Sequence, residues 1–209
     1  MTSRTHVVQP GMTKITTGAS VSLDGYISGP AESGFEHLFA WYGGGDVEIT
    51  TTNPELTFKL TEQDAAQVQA IIEGIGCFVV GRHLFDITHG WGGQHTLGIH
   101  CVVLTHSVPE GWEDNEHYTF VTEGGIERAI EVAREKAGDK DVGLNGGKIA
   151  SQALDAGLVD EIGVDLVPVI LGGGTPFFSS LQNGPFVLEG PISSVQGHRV
   201  THLRYAVRR

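Results

Sequence analysis

Three short stretches of this chain place glycine, cationic or hydroxyl groups directly after runs that read as strands. The first is Asn145-Gly146-Gly147-Lys148. Val142 to Leu144 read as the end of a strand, and Lys148 opens a helix whose Ile149, Ala150, Ala153 and Leu154 share one face. A strand passing through paired glycines into a helix leaves N–H groups unpaired at the helix start. Without Cβ atoms the backbone admits an anion closely, and the helix dipole favours negative charge there. Phosphate-bearing cofactors are held this way, although any strand-to-helix turn can carry two glycines. The second stretch, Val79-Val80-Gly81-Arg82-His83-Leu84-Phe85, sets a glycine and two basic residues after an apolar strand. The planar guanidinium of Arg82 can bond two phosphate oxygens at once. The third, Leu104-Thr105-His106, adds a hydroxyl and an imidazole. Each has a plainer reading: Arg82 as a surface charge, Thr105 as a strand-end cap, His106 as a solvated loop residue. Ligands of open α/β sheets bind at the carboxyl ends of the strands, so three such ends point to one anion site.

The elements that must bring these stretches together can be read in order. Lys14 to Ser22 reads as a strand, ending in the turn Leu23-Asp24-Gly25-Tyr26. Residues 28–57 are loop-rich, with a short helix around Phe35 to Trp41. Thr61 is an N-cap for a helix carrying Val68, Ile71, Ile72 and Ile75 on one stripe. Cys77 to Val80 and Cys101 to Leu104 are continuous apolar runs, as in strands covered on both faces. Tyr118 to Val121 offers another strand, and Ile126, Ala129, Ile130, Ala133 and Ala137 recur at helical spacing; Gly157 closes the helix that Lys148 opens. After Asp160 the helices stop. Ile162, Val164 and Leu166 alternate, and Phe186 to Leu188 and Leu203, Tyr205 and Val207 suggest further strands. This order predicts one α/β domain: a mainly parallel sheet extended by a C-terminal antiparallel pair. Residues 1–12 read as a flexible extension, with Met12 a candidate natural start, and 13–209 as the domain.

Composition narrows the class. The chain has 209 residues, 40% of them hydrophobic, which suits one well-cored domain. No apolar run is long enough for a membrane span and no leader is evident, so a cytoplasmic protein with no membrane partner is expected. Cys77 and Cys101 each begin a strand-like run and read as buried thiols without a disulfide. The formal charge is -12, from 13 Lys+Arg against 25 Asp+Glu. Such a surface repels nucleic acid but still admits one small phosphorylated ligand in a local cationic pocket. The 30 glycines are about twice the usual ~7% share and cluster at turns. Phe35, Phe39, Trp41 and Tyr42, with Trp91, read either as ordinary core or as walls for a flat ring. His89, His95 and His100 fit no common metal spacing, so no metal is expected. Gly172-Gly173-Gly174 reads as a turn, with contact to a substrate phosphate as the alternative.

The chain resembles the dihydrofolate-reductase-like superfamily, and within it the riboflavin-biosynthesis reductase (RibD C-terminal) family. The residues that carry the resemblance are Ser22-Leu23-Asp24-Gly25-Tyr26-Ile27, Val80-Gly81-Arg82-His83, Val103-Leu104-Thr105-His106 and Asn145-Gly146-Gly147-Lys148. They continue in Gly157-Leu158-Val159-Asp160-Glu161 and Pro168-Val169-Ile170-Leu171-Gly172-Gly173-Gly174-Thr175-Pro176-Phe177-Phe178. The resemblance implies a three-layer α/β/α fold that binds NADPH across its strand ends. It matches Gly81, Arg82, His83 and Leu84 to a first pyrophosphate-and-adenosine turn. Leu104, Thr105 and His106 match the segment beside the adenosine 2′-phosphate, and Gly146, Gly147, Lys148 and Ile149 the second pyrophosphate turn. Ala19, Ser20 and Ile27 fall where the nicotinamide is usually met. Leu84 departs from the pattern, standing where many dihydrofolate reductases carry a hydroxyl.

The activity so implied is hydride transfer to a small-molecule substrate, a 5-amino-6-(5-phosphoribosylamino)uracil reductase-like step of riboflavin biosynthesis. A dihydrofolate- or pterin-type reductase and a non-catalytic nucleotide-binding module remain the alternatives. Asp24, in the Leu-Asp-Gly turn, is the candidate catalytic or substrate-contacting group, against the reading that it only fixes the turn backbone. Glu32, Glu36 and Asp46 are further candidate carboxylates. The resemblance also implies a homodimer formed through the C-terminal strands.

Overall fold

A computed structural model describes residues 13–208, so the expected extension over 1–12 lies outside the described residues. The chain begins with β1 (Ile15–Ser22) and β2 (Tyr26–Ser28), then α1 (Phe35–Leu38) and the hairpin β3 (Val47–Thr50) and β4 (Thr57–Leu60). Next come α2 (Glu62–Gly74), β5 (Ile75–Gly81), α3 (Arg82–Ile87), β6 (His100–Leu104) and β7 (Tyr118–Val121). They are followed by α4 (Gly125–Ala137), β8 (Asp141–Leu144) and α5 (Lys148–Asp155). The last strands are β9 (Glu161–Val167), β10 (Thr175–Pro176), β11 (Leu188–Gln196) and β12 (Thr201–Val207).

Eight strands form one sheet in the order β11-β12-β9-β1-β8-β5-β6-β7. The six from β9 to β7 are parallel, and β12 and β11 add antiparallel strands at one edge. The expected mainly parallel sheet with an antiparallel C-terminal pair is therefore present. Strands β5, β6 and β8 carry fully buried Val79, Val102 and Val142 toward the inner faces of α4 and α5, where Ala129, Ile130, Ala133 and Ala153 pack. On the opposite face, Val80, Cys101, Val103 and Tyr118 meet Phe85 of α3. A smaller cluster joins Leu38, Trp41, Leu60, Val68 and Val167 under α1 and α2. Cys77 and Cys101 are buried free thiols.

Local chemistry explains most boundaries. The Thr61 hydroxyl accepts the Asp64 amide, the N-cap bond expected for α2. Gly157, at φ 69°, follows α5, and the Leu158 amide reaches back to the Ala153 carbonyl. Three expectations change. The helix expected over Phe35 to Trp41 stops at Leu38, because Phe39 leaves helical geometry, and a 3-10 turn over Ala40–Gly43 continues. Ile75 belongs to β5 rather than to the helical stripe, since α2 ends at Gly74 and runs directly into the strand. The strand expected from Phe186 starts at Leu188 and extends to Gln196, with an irregular register between Glu189 and Ser193 around Gly190-Pro191.

Candidate functional site

Along the carboxyl ends of β5, β6, β7 and β8 runs a cleft of about 770 Å³. Helices α3, α4 and α5 begin at its edge, and none has a side-chain cap at its first turn. Their residues Gly81, Gly124 and Gly147 occupy the cap positions, so three sets of N-terminal amides face one space with no side chain of their own to satisfy them. Gly147 adopts φ 71°, ψ -134°, a conformation that side-chain-bearing residues rarely take. A Cβ placed on it would meet only Thr175 Cγ2 at 3.7 Å and Ile27 Cδ1 at 3.9 Å, so the position is strained rather than crowded.

Of the fourteen expected cofactor residues, twelve line this cleft: Ile27, Gly81, Arg82, His83, Leu84, Leu104, Thr105, His106, Gly146, Gly147, Lys148 and Ile149. Arg82 is already oriented. Its Nε donates to both Asp86 carboxylate oxygens at 2.8 Å, and Nη1 donates to the Ser107 carbonyl at 3.0 Å. His83 reaches Glu32 at 2.7 Å, tying the start of α3 to the loop before α1. Lys148 is exposed. The sequence reading missed Thr122 to Gly125, which also line the cleft. The signal was available there too: an apolar strand, Tyr118–Val121, runs through paired glycines into a helix, as at residues 142–148.

Ala19 and Ser20 line a second, inner cavity of about 510 Å³. It adjoins the first through the shared residues Ile27, Phe35, Leu84, Asn145 and Gly146. Asn145 Oδ1 is buried without a hydrogen-bond partner. The aromatic expectation is met in part: Phe35, Phe39 and Tyr42 line the inner cavity, joined by Phe58, Phe78 and His95. Phe35 and Phe39 stack at 6.0 Å, and Tyr42 and Phe58 lie 4.5 Å apart. Trp41 is core instead, its Nε1 donating to Ser20 Oγ at 3.1 Å, and Trp91 packs on His95 outside the lining. Burial pushes the pKa of His95 down to about 4, so the imidazole is neutral at pH 7.

The carboxylates divide differently from expectation. Asp24 lies outside both cavities. It accepts the Ser22 hydroxyl at 2.6 Å and the amides of Leu171 and Gly172 at 3.1 and 2.7 Å. The Ser22 hydroxyl, followed by those amides, holds its pKa below the ordinary value. Asp24 thus fastens the β1–β2 turn to the glycine run, the backbone-fixing reading. Of the run Gly172 to Gly174, Gly174 packs against Ser28 and Gly29, and the Gly172 amide is held by Asp24. Glu36 is exposed beside His37, and Asp46 is exposed. The inner cavity is instead lined by Asp141, Glu161 and Asp165. Asp141 accepts the Lys14 amide at 2.8 Å, and Glu161 pairs with the Lys14 ammonium.

Asp165 is joined to a buried network. His202, 2% exposed, meets Asp165 Oδ1 through Nδ1 at 2.7 Å and Asp64 Oδ1 through Nε2 at 2.9 Å. Burial lowers the His202 pKa, but the hydrogen bonds to Asp165 and Asp64 outweigh it and the net shift is upward. Burial likewise opposes ionisation of Asp64, yet the Thr61 hydroxyl, His202 and the His198 amide hold it ionised. Burial, with the charge of Asp165 second, raises the Tyr42 phenol. Among the described residues no group of three or more His, Cys, Asp or Glu side chains is placed to hold a metal. No helix there is long and apolar enough to cross a membrane.

Comparisons place this geometry among known proteins. A sequence model of the RibD C-terminal domain matches residues 13–189. An uncharacterized protein of Bacillus subtilis, YwjB, is 31% identical over 83 residues, 40% of this chain and 46% of that one, so the match spans under half of the relative. A solved structure of a Shewanella sp. PV-4 protein assigned to riboflavin biosynthesis superposes with a TM-score of 0.66 at 22% identity, covering 94% of this chain and all of that one. The Saccharomyces cerevisiae riboflavin biosynthesis reductase Rib7 gives 0.61 at 11% identity, over 97% and 93% of the two chains. The Thermotoga maritima diaminohydroxyphosphoribosylaminopyrimidine deaminase/5-amino-6-(5-phosphoribosylamino)uracil reductase gives 0.58 at 14% identity. This chain spans 57% of that protein's length. At such identities the likeness is one of fold.

Proposed function

Because this chain belongs to the RibD C-terminal domain family, we propose that it is an NADPH-dependent reductase acting on a small ring-bearing substrate of the 5-amino-6-(5-phosphoribosylamino)uracil type. The observation that carries the proposal is the convergence of three uncapped helix starts, Arg82 and Lys148 on one cleft that adjoins an aromatic-walled cavity. Such a cleft suits a dinucleotide. The first amides of α5 and α4, after Gly147 and Gly124, would hold the pyrophosphate, Lys148 would add a cation, and Arg82 would meet the ribose 2′-phosphate. Asn145 Oδ1, a buried acceptor lacking a donor, is suited to a carboxamide N–H where the two cavities meet.

When bound, the dihydronicotinamide supplies the hydride. This chain's own residues do the rest. Ile27 and Gly146, shared by the two cavities, with Ala19 and Ser20 beside them, would set the hydride donor against its acceptor, and Phe35, Phe39, Tyr42 and Phe58 would offer a flat ring apolar faces. The aromatic walls suit a pterin ring as well, which keeps dihydrofolate in the same screen. We extend the proposal to a homodimer through the C-terminal strand edge, where Val187, Leu188 and Ile192 are exposed; light scattering showing a monomer at micromolar concentration removes that part. The activity test is NADPH absorbance with 5-amino-6-(5-phosphoribosylamino)uracil and with dihydrofolate. Substrate-dependent loss of absorbance is expected. Tight NADPH binding with no oxidation by any ring substrate makes the protein a nucleotide-binding module instead.

A further inference from the structure

We propose that His95 is a substrate-binding residue, an uncharged hydrogen-bond donor that takes a ring carbonyl oxygen at the β5 end of the inner cavity. That the ligand is a substrate rests on the reductase reading above; the donor rests on the geometry of the imidazole. Nδ1 accepts the Leu97 amide at 3.2 Å. An amide N–H aimed at Nδ1 needs a lone pair there, so the ring's proton is on Nε2. An imidazolium would set two N–H groups against each other, and burial disfavours its charge as well. Nε2 has no partner among the described residues, yet it is not sealed away as Asn145 Oδ1 is, and the ring lines the inner cavity. Phe78 at 4.9 Å and Trp91 at 4.7 Å, centroid to centroid, hold the imidazole between them and fix its direction.

The sheet makes room for a flat ring beside this donor. Gly143 of β8, Gly18 of β1 and Gly163 of β9 lie on one face of three adjacent strands, and all three line the cavity. Phe78 lies over Gly143, where a Cβ would come within 2.5 Å of its ring. A Cβ on Gly18 would meet only the Gly163 backbone, at 3.5 Å and beyond, so bare main chain forms the floor next to Phe78. The cavity's charged groups stand elsewhere. Glu161, Asp165 and Arg204 belong to β9 and β12, three strands or more from Phe78, roughly 14 Å across the sheet. Asp141 is turned to the Lys14 amide. A carboxylate beside His95 would therefore be buried among apolar rings without a counter-charge, whereas a carbonyl oxygen suits an uncharged donor. The loop does not need the imidazole to hold it. The His95 carbonyl accepts the Gly98 amide at 2.7 Å and the Thr52 hydroxyl at 3.0 Å, and the Thr96 carbonyl accepts the Thr52 amide at 2.9 Å. The ligand class is a flat ring with a carbonyl oxygen at its edge, as in a pyrimidinedione, and a ring without an acceptor there is selected against.

The probe is quinazoline-2,4-dione, and quinazoline, the same bicycle without the carbonyls, is its control. Both are titrated calorimetrically into wild type, His95→Asn and His95→Gln, with NADPH titrated separately. Asparagine keeps an acceptor near the Nδ1 position and loses the donor; glutamine keeps a donor near Nε2 and loses the Leu97 bond. His95→Asn should bind the dione about five- to tenfold more weakly than wild type and quinazoline no differently, while His95→Gln recovers most of the dione affinity. NADPH should bind all three alike. In wild type carrying isotope-labelled histidine, nitrogen NMR should show the Nε2–H tautomer, its proton moving downfield on addition of the dione and not of quinazoline. Equal dione affinity in wild type and His95→Asn overturns the proposal, and a loss confined to His95→Gln makes His95 a loop support acting through Leu97. An Nδ1–H tautomer in wild type, or no dione binding there, overturns it too and decides the matter if the variants fail to fold. His95-dependent dione binding without any NADPH binding would remove the reductase reading and leave the donor site standing.

Discussion

Replacing Gly147 by alanine separates the cost of a backbone conformation from the cost of blocking a ligand. At φ 71°, ψ -134° an alanine is strained, by about 1–3 kcal/mol. The new methyl collides with nothing, its nearest neighbours being Thr175 Cγ2 at 3.7 Å and Ile27 Cδ1 at 3.9 Å. For a domain of this size, each kcal/mol lowers the melting temperature by roughly 2–4 °C, so the expected fall is about 2–12 °C. Cofactor binding should fall much further. The methyl stands where an anion approaches the first amides of α5, and losing two charge-assisted hydrogen bonds costs about 3 kcal/mol or more, on the order of a hundredfold in Kd. Gly157→Ala is the control. It also carries a positive φ, 69°, in open space, but lines neither cavity. Differential scanning calorimetry and NADPH titration on both variants give four numbers. Both variants should melt lower, and only Gly147→Ala should lose NADPH. A Gly147→Ala protein that melts lower yet binds NADPH as wild type would refute the assignment of this turn to the pyrophosphate.

Arg82→Ala should weaken NADPH by about 1.5–3 kcal/mol and leave NADH nearly unchanged, because a 2′-phosphate is the one group that distinguishes them. Its melting temperature should fall little, since the Arg82–Asp86 pair is partly exposed and such surface pairs contribute about 0–1 kcal/mol; equal weakening of both cofactors shows that Arg82 does not read the phosphate. The raised pKa of His202 makes its ion pairs stabilising at and below its unfolded value of 6.5, and that contribution is lost as pH rises through the higher folded value. Wild type should therefore lose melting temperature relative to His202→Gln as pH rises above 6.5; parallel curves would contradict it. Burial pushes the Cys77 thiol up to about 12, and Cys101 is raised also, so neither should react with a thiol reagent in the native protein. Labelling at the unfolded rate without denaturant would show that the sheet opens far more readily than its packing implies.

What could be read in the sequence was what is encoded locally. Asn145 to Ile149 and Val79 to Leu84 are contiguous strand–turn–helix segments, so the residues that shape each turn also identify it, and the sheet edge then collects them. The turn over Thr122 to Gly125 obeys the same rule and was readable but not read. Asp24 was ambiguous for a local reason: an Asp-Gly turn looks the same whether its carboxylate faces a ligand or, as here, the amides of Leu171 and Gly172, which are 147 and 148 residues away. The Asp64–His202–Asp165 network was out of reach. Its members are separated by 138 and 37 residues, and they meet only because β12 folds back antiparallel beside β9 and sets His202 opposite Asp165. Registers of that kind depend on which strands become neighbours, and a pattern of alternating residues does not specify it. The aromatic residues show the same limit: Trp41 and Tyr42 are adjacent, yet one is core and the other cavity wall.

The central claim is that the cleft at the ends of β5, β6, β7 and β8 binds a phosphorylated dinucleotide, and calorimetric titration of the purified, ligand-free protein with NADPH and then NADH tests it most directly. Micromolar or tighter binding of NADPH, with NADH clearly weaker, is the predicted result. Heat of dilution alone for both cofactors would contradict the account, because three uncapped helix starts around an oriented arginine would then have no dinucleotide to hold.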